Sequence, residues 1–450
     1  MNTWMCVGGA LVALCVAAPG AAATDGDKSV NEKILDILLE KGDITQERYD
    51  ELREEALEEQ KAAALPPVAA GESEWKVYWD NGTRIERKDG SVKIKAGGRI
   101  QYDFAGAGLD GKLKNLFPDA EGTGTDVRRA RIFVSGSFGE HVAFKAQYDF
   151  AGGDTDFKDV WVGLQKLPVV GRVRAGHFKE PMSLEMTTSS KYFTFMERGL
   201  PVLAFTSERN AGIGFDRTLH EGRMMISGGV FQNVGDDAEE YDNQGNYNAG
   251  LRVTGLPWYE DDGKQLVHVG GWYSHQFRHD EMLRYNPDAE SNTVGSLVNM
   301  PVIQIDDVDL LGAELAALCG PFFFESEFIA ALVDGNRSPD SEFYGSYVSA
   351  GTFLGGRKKY DNKSGSFGRS IVDETFSPEN GQWGALELAA RWSFLTLNDG
   401  RTRGGILNNM TLGANWYLFP NLRLMVNYVL AHRNGVGNAH IAQSRISLDF

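Results

Sequence analysis

Val142-Ala-Phe-Lys-Ala-Gln-Tyr-Asp-Phe150 decides the fold. Val142, Phe144, Ala146, Tyr148 and Phe150 fall on one face of an extended chain, and Lys145, Gln147 and Asp149 fall on the other. The run before it, Val127 to Phe138, alternates in the same way, and Gly139-Glu140-His141 joins the two as a tight turn. A period of two over this length is the mark of a strand with one apolar and one polar face. The code recurs outward in both directions. In Ile94-Lys-Ala-Gly-Gly-Arg-Ile-Gln-Tyr-Asp-Phe104 the residues Ile94, Ala96, Ile100, Tyr102 and Phe104 oppose Lys95, Arg99, Gln101 and Asp103.

Two architectures carry this pattern. A soluble sandwich turns the apolar face inward; a membrane barrel turns it out to lipid and leaves the polar face on a wet lumen. Three features select the barrel. Runs of about ten residues suit tilted strands that cross a bilayer. Aromatic residues gather at run ends, as in Tyr102/Phe104, Tyr148/Phe150, Trp416/Tyr417/Phe419 and Phe450. The charges on the polar face are too many for a dry core, where each unpaired one costs several kcal/mol. Sixteen runs follow residue 92: 94–104, 126–138, 141–151, 158–166, 170–178, 211–217, 223–231, 246–255, 265–275, 308–317, 322–332, 342–352, 382–394, 406–417, 422–431 and 441–450. The expected fold class is all-β, a transmembrane antiparallel β-barrel of about 16 strands over residues 92–450. The last strand zips to the first and removes both edges. Tight turns at 139–141, 319–321 and 419–422 contrast with longer connections at 105–125, 232–245, 276–307, 353–381 and 395–405, the two-sided asymmetry of such barrels.

Composition excludes other classes. The chain has 450 residues, a net charge of −17 and 53 glycines without a three-residue repeat. Its acidity makes it a poor partner for nucleic acid. Cys6, Cys15 and Cys319 cannot build a disulfide framework or a zinc cluster. Residues 1–23 carry no charged side chain and end in Ala21-Ala-Ala23, which reads as a signal peptide. From 24 to 65 the period becomes helical and acidic: Gly42 ends one helix, and Thr45 caps a second whose stripe is Tyr49, Leu52 and Ala56. Between Thr24 and Ser73 there are 14 acidic and 6 basic residues, so this segment holds −8 of the −17. A solvated spacer and a coiled-coil stalk are both open readings of it. Residues 66–91, opening with Pro66-Pro67, read as linker.

Segment 179–210 lacks alternation and is unusually apolar for a loop, with Leu184, Met186, Tyr192, Phe193, Phe195, Met196, Leu200 and Phe205. It is expected to fold into the barrel as a constriction. Its charges balance, four basic against four acidic. Gly176-His-Phe-Lys-Glu-Pro-Met-Ser-Leu-Glu185, Phe195-Met-Glu-Arg-Gly-Leu-Pro201 and Arg209-Asn-Ala-Gly212 resemble the phosphate-selective porin O/P family, as does Arg128-Arg-Ala-Arg-Ile-Phe-Val-Ser-Gly136. Where the family often has Asp after that arginine, this chain has Asn210. The resemblance covers about residues 92–450. It implies a sixteen-stranded trimeric channel in the outer membrane of a Gram-negative-type bacterium, lined in some members by basic residues. The acidic stalk would then stand in the periplasm, either trimerising or meeting another envelope component.

Alternation also assigns lumen charges. If Ile132 and Val134 face lipid, Arg129 and Arg131 point inward, as do Lys145, Arg172 and Arg174 on later strands. With Lys179, Lys191, Arg198 and Arg209 from the loop they make nine basic candidates for a path that favours anions. The competing reading pairs them with Asp149, Asp159, Glu185 and Glu197 as wall salt bridges. No Gly-x-Ser-x-Gly or His-Glu-x-x-His occurs, and neither an enzyme nor a cofactor is expected. The expected function is a passive porin for small hydrophilic solutes, with anions such as phosphate as one option. A general diffusion porin and a tethering or adhesive barrel are the alternatives.

Overall fold

The computed structural model describes residues 38–42, 44–63, 74–234 and 246–450. The signal peptide at 1–23, the first apolar residues of the stalk at 34–37 and the Pro66-Pro67 stretch lie outside the described residues. Two compact units divide the chain, Met1–Ser73 and Glu74–Phe450. In the first, a helix runs Gln46–Ala63, with Glu47 in its first turn where the macrodipole favours an acid. The Arg48 N–H donates to Thr45 Oγ1 at 3.3 Å, the reach of an N-cap.

The second unit is a closed barrel of sixteen antiparallel strands. They are β1 Val92–Leu109, β2 Gly122–Phe138, β3 Val142–Asp149, β4 Asp156–Leu167, β5 Gly171–Phe178, β6 Asn210–Leu219, β7 Met224–Gln232 and β8 Tyr247–Glu260. The other half is β9 Gln265–Leu283, β10 Ile303–Cys319, β11 Phe322–Gly335, β12 Ser341–Leu354, β13 Ala385–Asp399, β14 Thr402–Phe419, β15 Leu422–Arg433 and β16 Gly437–Asp449. Each strand pairs with its sequence neighbours, and β16 closes on β1 from Ala439↔Leu109 to Asp449↔Arg99. Closure satisfies every ladder, which hydrocarbon demands of any backbone that crosses it. The alternation places Ile100, Ile132, Val134, Val162, Ile213, Val230 and Val426 outward and exposed, whereas Gln101, Arg129, Gln147, Arg252, Asn427 and Arg445 are buried inside.

Several expectations need correction. The stretch 66–91 is not all linker. Trp75–Trp79 and Thr83–Arg87 form a hairpin that pairs onto the start of β1 at Ile85↔Ile94. Its turn is Asn81-Gly82, with both φ angles positive, so an Asn-Gly hairpin signal was present in the sequence. Strands overshoot their apolar runs. Both ends of 105–125 belong to β1 and β2, which leaves 110–121 as the connection, and the 395–405 connection shrinks to the two residues between β13 and β14. Antiparallel order also puts the long 355–384 connection at the end of the barrel that carries the tight turns, not with the other long loops.

The interior is not uniformly wet. Segment 284–302 folds into the lumen, where Ala289, Leu297, Val298 and Met300 pack against inward residues of β10–β16 such as Ile305, Leu310, Ile329, Leu395, Leu407, Val429 and Ile441. Along this arc the inward face is apolar because protein, not water, covers it.

Candidate functional site

Segment 179–209 joins β5 to β6 and packs inside the barrel, held by the far wall. The Glu327 carboxylate on β11 accepts the Leu184 and Glu185 N–H groups at 3.0 and 2.8 Å, the Ser183 hydroxyl at 3.1 Å and the Tyr347 hydroxyl at 2.8 Å. Glu185 accepts the Gly199 N–H at 2.8 Å and lies 3.2 Å from Arg391. Further along, Met196 N–H donates to Asn427 at 2.7 Å, while Arg423 and Arg445 donate to the Phe193 and Met196 carbonyls, each at 2.6 Å. The apolar side chains that ruled out a free external loop, Leu184, Met186, Phe193, Phe195, Met196, Leu200 and Phe205, are buried. A loop tied at so many backbone positions is a fixed part of the interior, since each buried donor or acceptor left unmade costs about 1–3 kcal/mol.

Between this segment and the β1–β8 wall lies a cavity of about 380 Å³. Eight of the nine sequence candidates line it: Arg129, Arg131, Lys145, Arg172, Arg174, Lys179, Arg198 and Arg209. Arg99 and Arg252 join them, giving ten cationic side chains against four carboxylates, Asp159, Glu180, Glu208 and Asp216. Some of this charge is neutralised. Arg131 donates to Asp149 at 2.6 Å, Lys145 to Asp159 at 2.8 Å, and Arg198 to Glu208 at 2.5 Å. Arg252 makes a bidentate pair with Glu314 at 2.8 Å. Part of the wall is thus salt-bridged. The carboxylates are nonetheless shared: Asp216 serves both Arg172 and Arg174, and Asp159 serves both Lys145 and Arg209. Arg99 meets only the Ser189 and Ser190 hydroxyls, and the Lys179 ammonium donates to the carbonyls of Met186, Thr187 and Thr188. Among the described residues neither has an ion-pair partner. Arg129 Nε, Arg174 Nε and Arg198 Nε are buried and without a protein acceptor.

Within the segment, burial pushes the Glu208 carboxyl up, and the Arg198, Arg209 and Arg131 guanidiniums beside it more than reverse this, holding it well below the usual carboxylate range. Burial, followed by the Arg198 and Arg209 guanidiniums, holds the Lys179 ammonium well below the usual lysine range. The two shifts share a contribution from the Arg198 and Arg209 guanidiniums, which outweighs burial at Glu208 and adds to it at Lys179. The aromatic side chains here hold the cations in place: Arg174 lies 4.4 Å above the Phe178 ring and 5.5 Å from that of Trp161. Phe178 lies against Gly214, where a Cβ would sit 3.2 Å from its ring.

Lys191, the ninth candidate, is elsewhere. It stands 3.7 Å from Asp449 and lines a second cavity of about 580 Å³ at the turn end, with Arg84, Lys95, Lys359, Lys363 and Arg369. Burial and then Arg99 push its ammonium down to about 8. Besides Arg391, Arg423 and Arg445 on the far wall, three arginines of the β1–β8 side were not among the sequence candidates. Arg99 shared its polar face with Gln101 and Asp103, which was a usable signal. Arg252 sits on a strand whose alternation is diluted by glycine. Arg128 had no signal: a bulge opposite Gln101 and Tyr102 gives β2 an extra residue and lets Arg128 as well as Arg129 reach Glu197, at 2.9 and 3.8 Å.

A closed sixteen-stranded barrel, apolar outside, with a charged lumen narrowed by infolded segments, is the architecture of an outer-membrane porin. The sequence profile of the phosphate-selective porin O and P family matches residues 94–450, and the chain belongs to that family. It is 25% identical over 402 residues to Porin O of Pseudomonas aeruginosa, spanning 79% of this chain and 87% of that one. To an uncharacterised protein of Caulobacter vibrioides it is 26% identical over 411 residues, 86% of this chain and 80% of the other. Among solved structures its fold is similar to an anion-selective porin from Comamonas acidovorans, with a TM-score of 0.50 and 13% identity over 80% of this chain and all of that one. It is likewise similar to a loop L8 deletion mutant of OmpT from Vibrio cholerae, with a TM-score of 0.50 and 14% identity over 79% and 99% of the two chains. The protein is a passive channel for small hydrophilic solutes in the outer membrane.

Proposed function

We propose that this porin passes small anions in preference to cations, through the cavity bounded by Arg99, Arg131, Arg172, Arg174, Lys179 and Arg198. The observation that carries the reading is the shortage of carboxylates there: ten cations and four acids line the cavity, Asp149 and Glu314 behind the wall offset Arg131 and Arg252, and three buried guanidinium N–H groups have no acceptor. In a narrow passage with low-dielectric walls such a surplus attracts anions and repels cations. An arriving anion relieves the repulsion among Lys179, Arg198 and Arg209. Phosphate is a fitting solute, in keeping with the family's description.

The trimer belongs to the same proposal. Strands β3 and β5 have eight residues each; at about 3.3 Å per residue and a tilt near 40° they rise about 20 Å, less than the ~25 Å apolar band of such barrels. A neighbouring copy would cover this low arc. In that assembly the tight-turn end is periplasmic, and the acidic Gln46–Ala63 helix is a periplasmic stalk that forms a coiled coil with its copies. The test is the zero-current potential of the refolded mature chain in a planar bilayer under a KCl gradient. An anion-selective sign is expected. Large, ohmic and unselective conductance would leave the porin and remove the anion preference.

A further inference from the structure

We propose that the cavity favours oxyanions that retain a proton, and that Glu180 is the residue that reads it; this deepens the anion-channel reading above and rests on it. Glu180 is an anomaly in a basic cavity. It lines the cavity, is 1% exposed, and takes part in no ion pair among the described residues. Its orientation is fixed. Asn210 Nδ2 and Asn248 Nδ2 both donate to Glu180 Oε1, the latter at 2.6 Å. Asn210 is itself held the right way round, because its Oδ1 accepts the Val234 N–H at 3.0 Å. An aspartate at 210 could not donate in this way; the asparagine that stands there can. With Oε1 saturated, Oε2 is left buried and without a protein donor.

Buried acceptors are almost always satisfied, and one left open beside a ligand cavity marks where a ligand donor belongs. The rest of the cavity is lined by cationic side chains, Arg172 and Arg174 among the more exposed, which suit anionic oxygens. The complementary solute therefore carries negative charge on several oxygens and an O–H on one. Monohydrogen phosphate has this form, as does the terminal group of a phosphomonoester that keeps one proton. Chloride and sulfate have no donor. At Glu180 they would leave the acceptor unmade and set like charges side by side, the arrangement by which a site rejects a near-isosteric competitor.

Monofluorophosphate separates the donor from every other property, because it is a tetrahedral dianion with fluorine in place of the hydroxyl. Inhibition of KCl current through the full chain would be titrated with inorganic phosphate, monofluorophosphate and sulfate at mildly alkaline pH, where all three are dianions. Phosphate is expected to block at about tenfold lower concentration than either competitor, a difference of about 1.4 kcal/mol. In Glu180→Gln the new amide accepts both asparagines through its oxygen and turns its NH₂ to the cavity, so the preference should collapse to within about twofold. Folding of the variant is followed by heat-modifiability on gels. The competitor ratio in the native chain stands on its own if the variant does not assemble. Equal block by phosphate and monofluorophosphate in the native chain overturns the inference while leaving anion selectivity in place. A cation-selective potential with no block by any of the three removes the underlying reading instead.

Discussion

The two halves of the lumen use the same residue types to opposite ends. On the β9–β16 side the large buried cations are mostly matched by carboxylates; the exception is Arg423, which donates to the Phe193 carbonyl and the Tyr417 hydroxyl. Arg391 meets Glu290 at 2.7 Å and Glu185 at 3.2 Å, and Arg445 meets Asp103 at 2.6 Å and Glu197 at 2.7 Å. Glu290, on the infolded 284–302 segment, also accepts from Thr411 at 2.7 Å. Apolar packing surrounds these pairs. On the β1–β8 side the cations are more numerous, their carboxylates are shared, and a cavity remains in front of them. One side is a core built from ion pairs; the other keeps its charge around a cavity. A strand's period of two says which side chains point inward, and only the pairing says what they do there.

The largest effect should follow from breaking a pair on the closed side. Arg391→Ala strands Glu185 and Glu290 in a buried site, and removal of one partner from such a cluster costs about 3–5 kcal/mol. A marked fall in the temperature at which the folded band converts on a gel is expected; an unchanged transition would mean that the closed side is wetter than described. Raising KCl should act on the open side alone. As the Debye length drops from about 10 Å at 0.1 M to about 3 Å at 1 M, anion selectivity should fall several-fold while barrel stability holds. Selectivity that ignores salt would point to sieving by size. The smallest effect is expected at the turn end. Lys191, with its pKa lowered to about 8, loses its charge as the pH rises through that value, so anion preference should decline modestly between neutral and mildly alkaline pH. Lys191→Met should remove that part of the decline, and a decline unaltered by the substitution would exclude Lys191 from the path.

Much of this was legible in the sequence. All sixteen strands fall where alternation put them, because a lipid-facing residue at every second position is a requirement of the bilayer and leaves a plain trace. Arg129, Arg131, Lys145, Arg172 and Arg174 face inward for the same reason. What could not be read depends on contacts between distant segments. Nothing local in 284–302 reveals that Leu297 and Met300 will pack against the inward residues of β10–β16, and nothing near Glu185 names Arg391 as its partner across the barrel. The Trp75–Trp79 hairpin is legible through Asn81-Gly82, although Pro66-Pro67 upstream gives the stretch the composition of a linker. The place of 355–384 followed from counting strands rather than from its composition, which is that of any loop.

Whether the open side carries the selectivity is tested most directly by the zero-current potential of Arg172→Gln/Arg174→Gln beside the native chain, at low salt under the same KCl gradient. These two guanidiniums share Asp216 and are among the more exposed cations of the cavity. The expected result is an anion-selective potential in the native chain that moves clearly toward zero in the variant. A native potential of the same sign that the double substitution leaves unchanged would contradict the account.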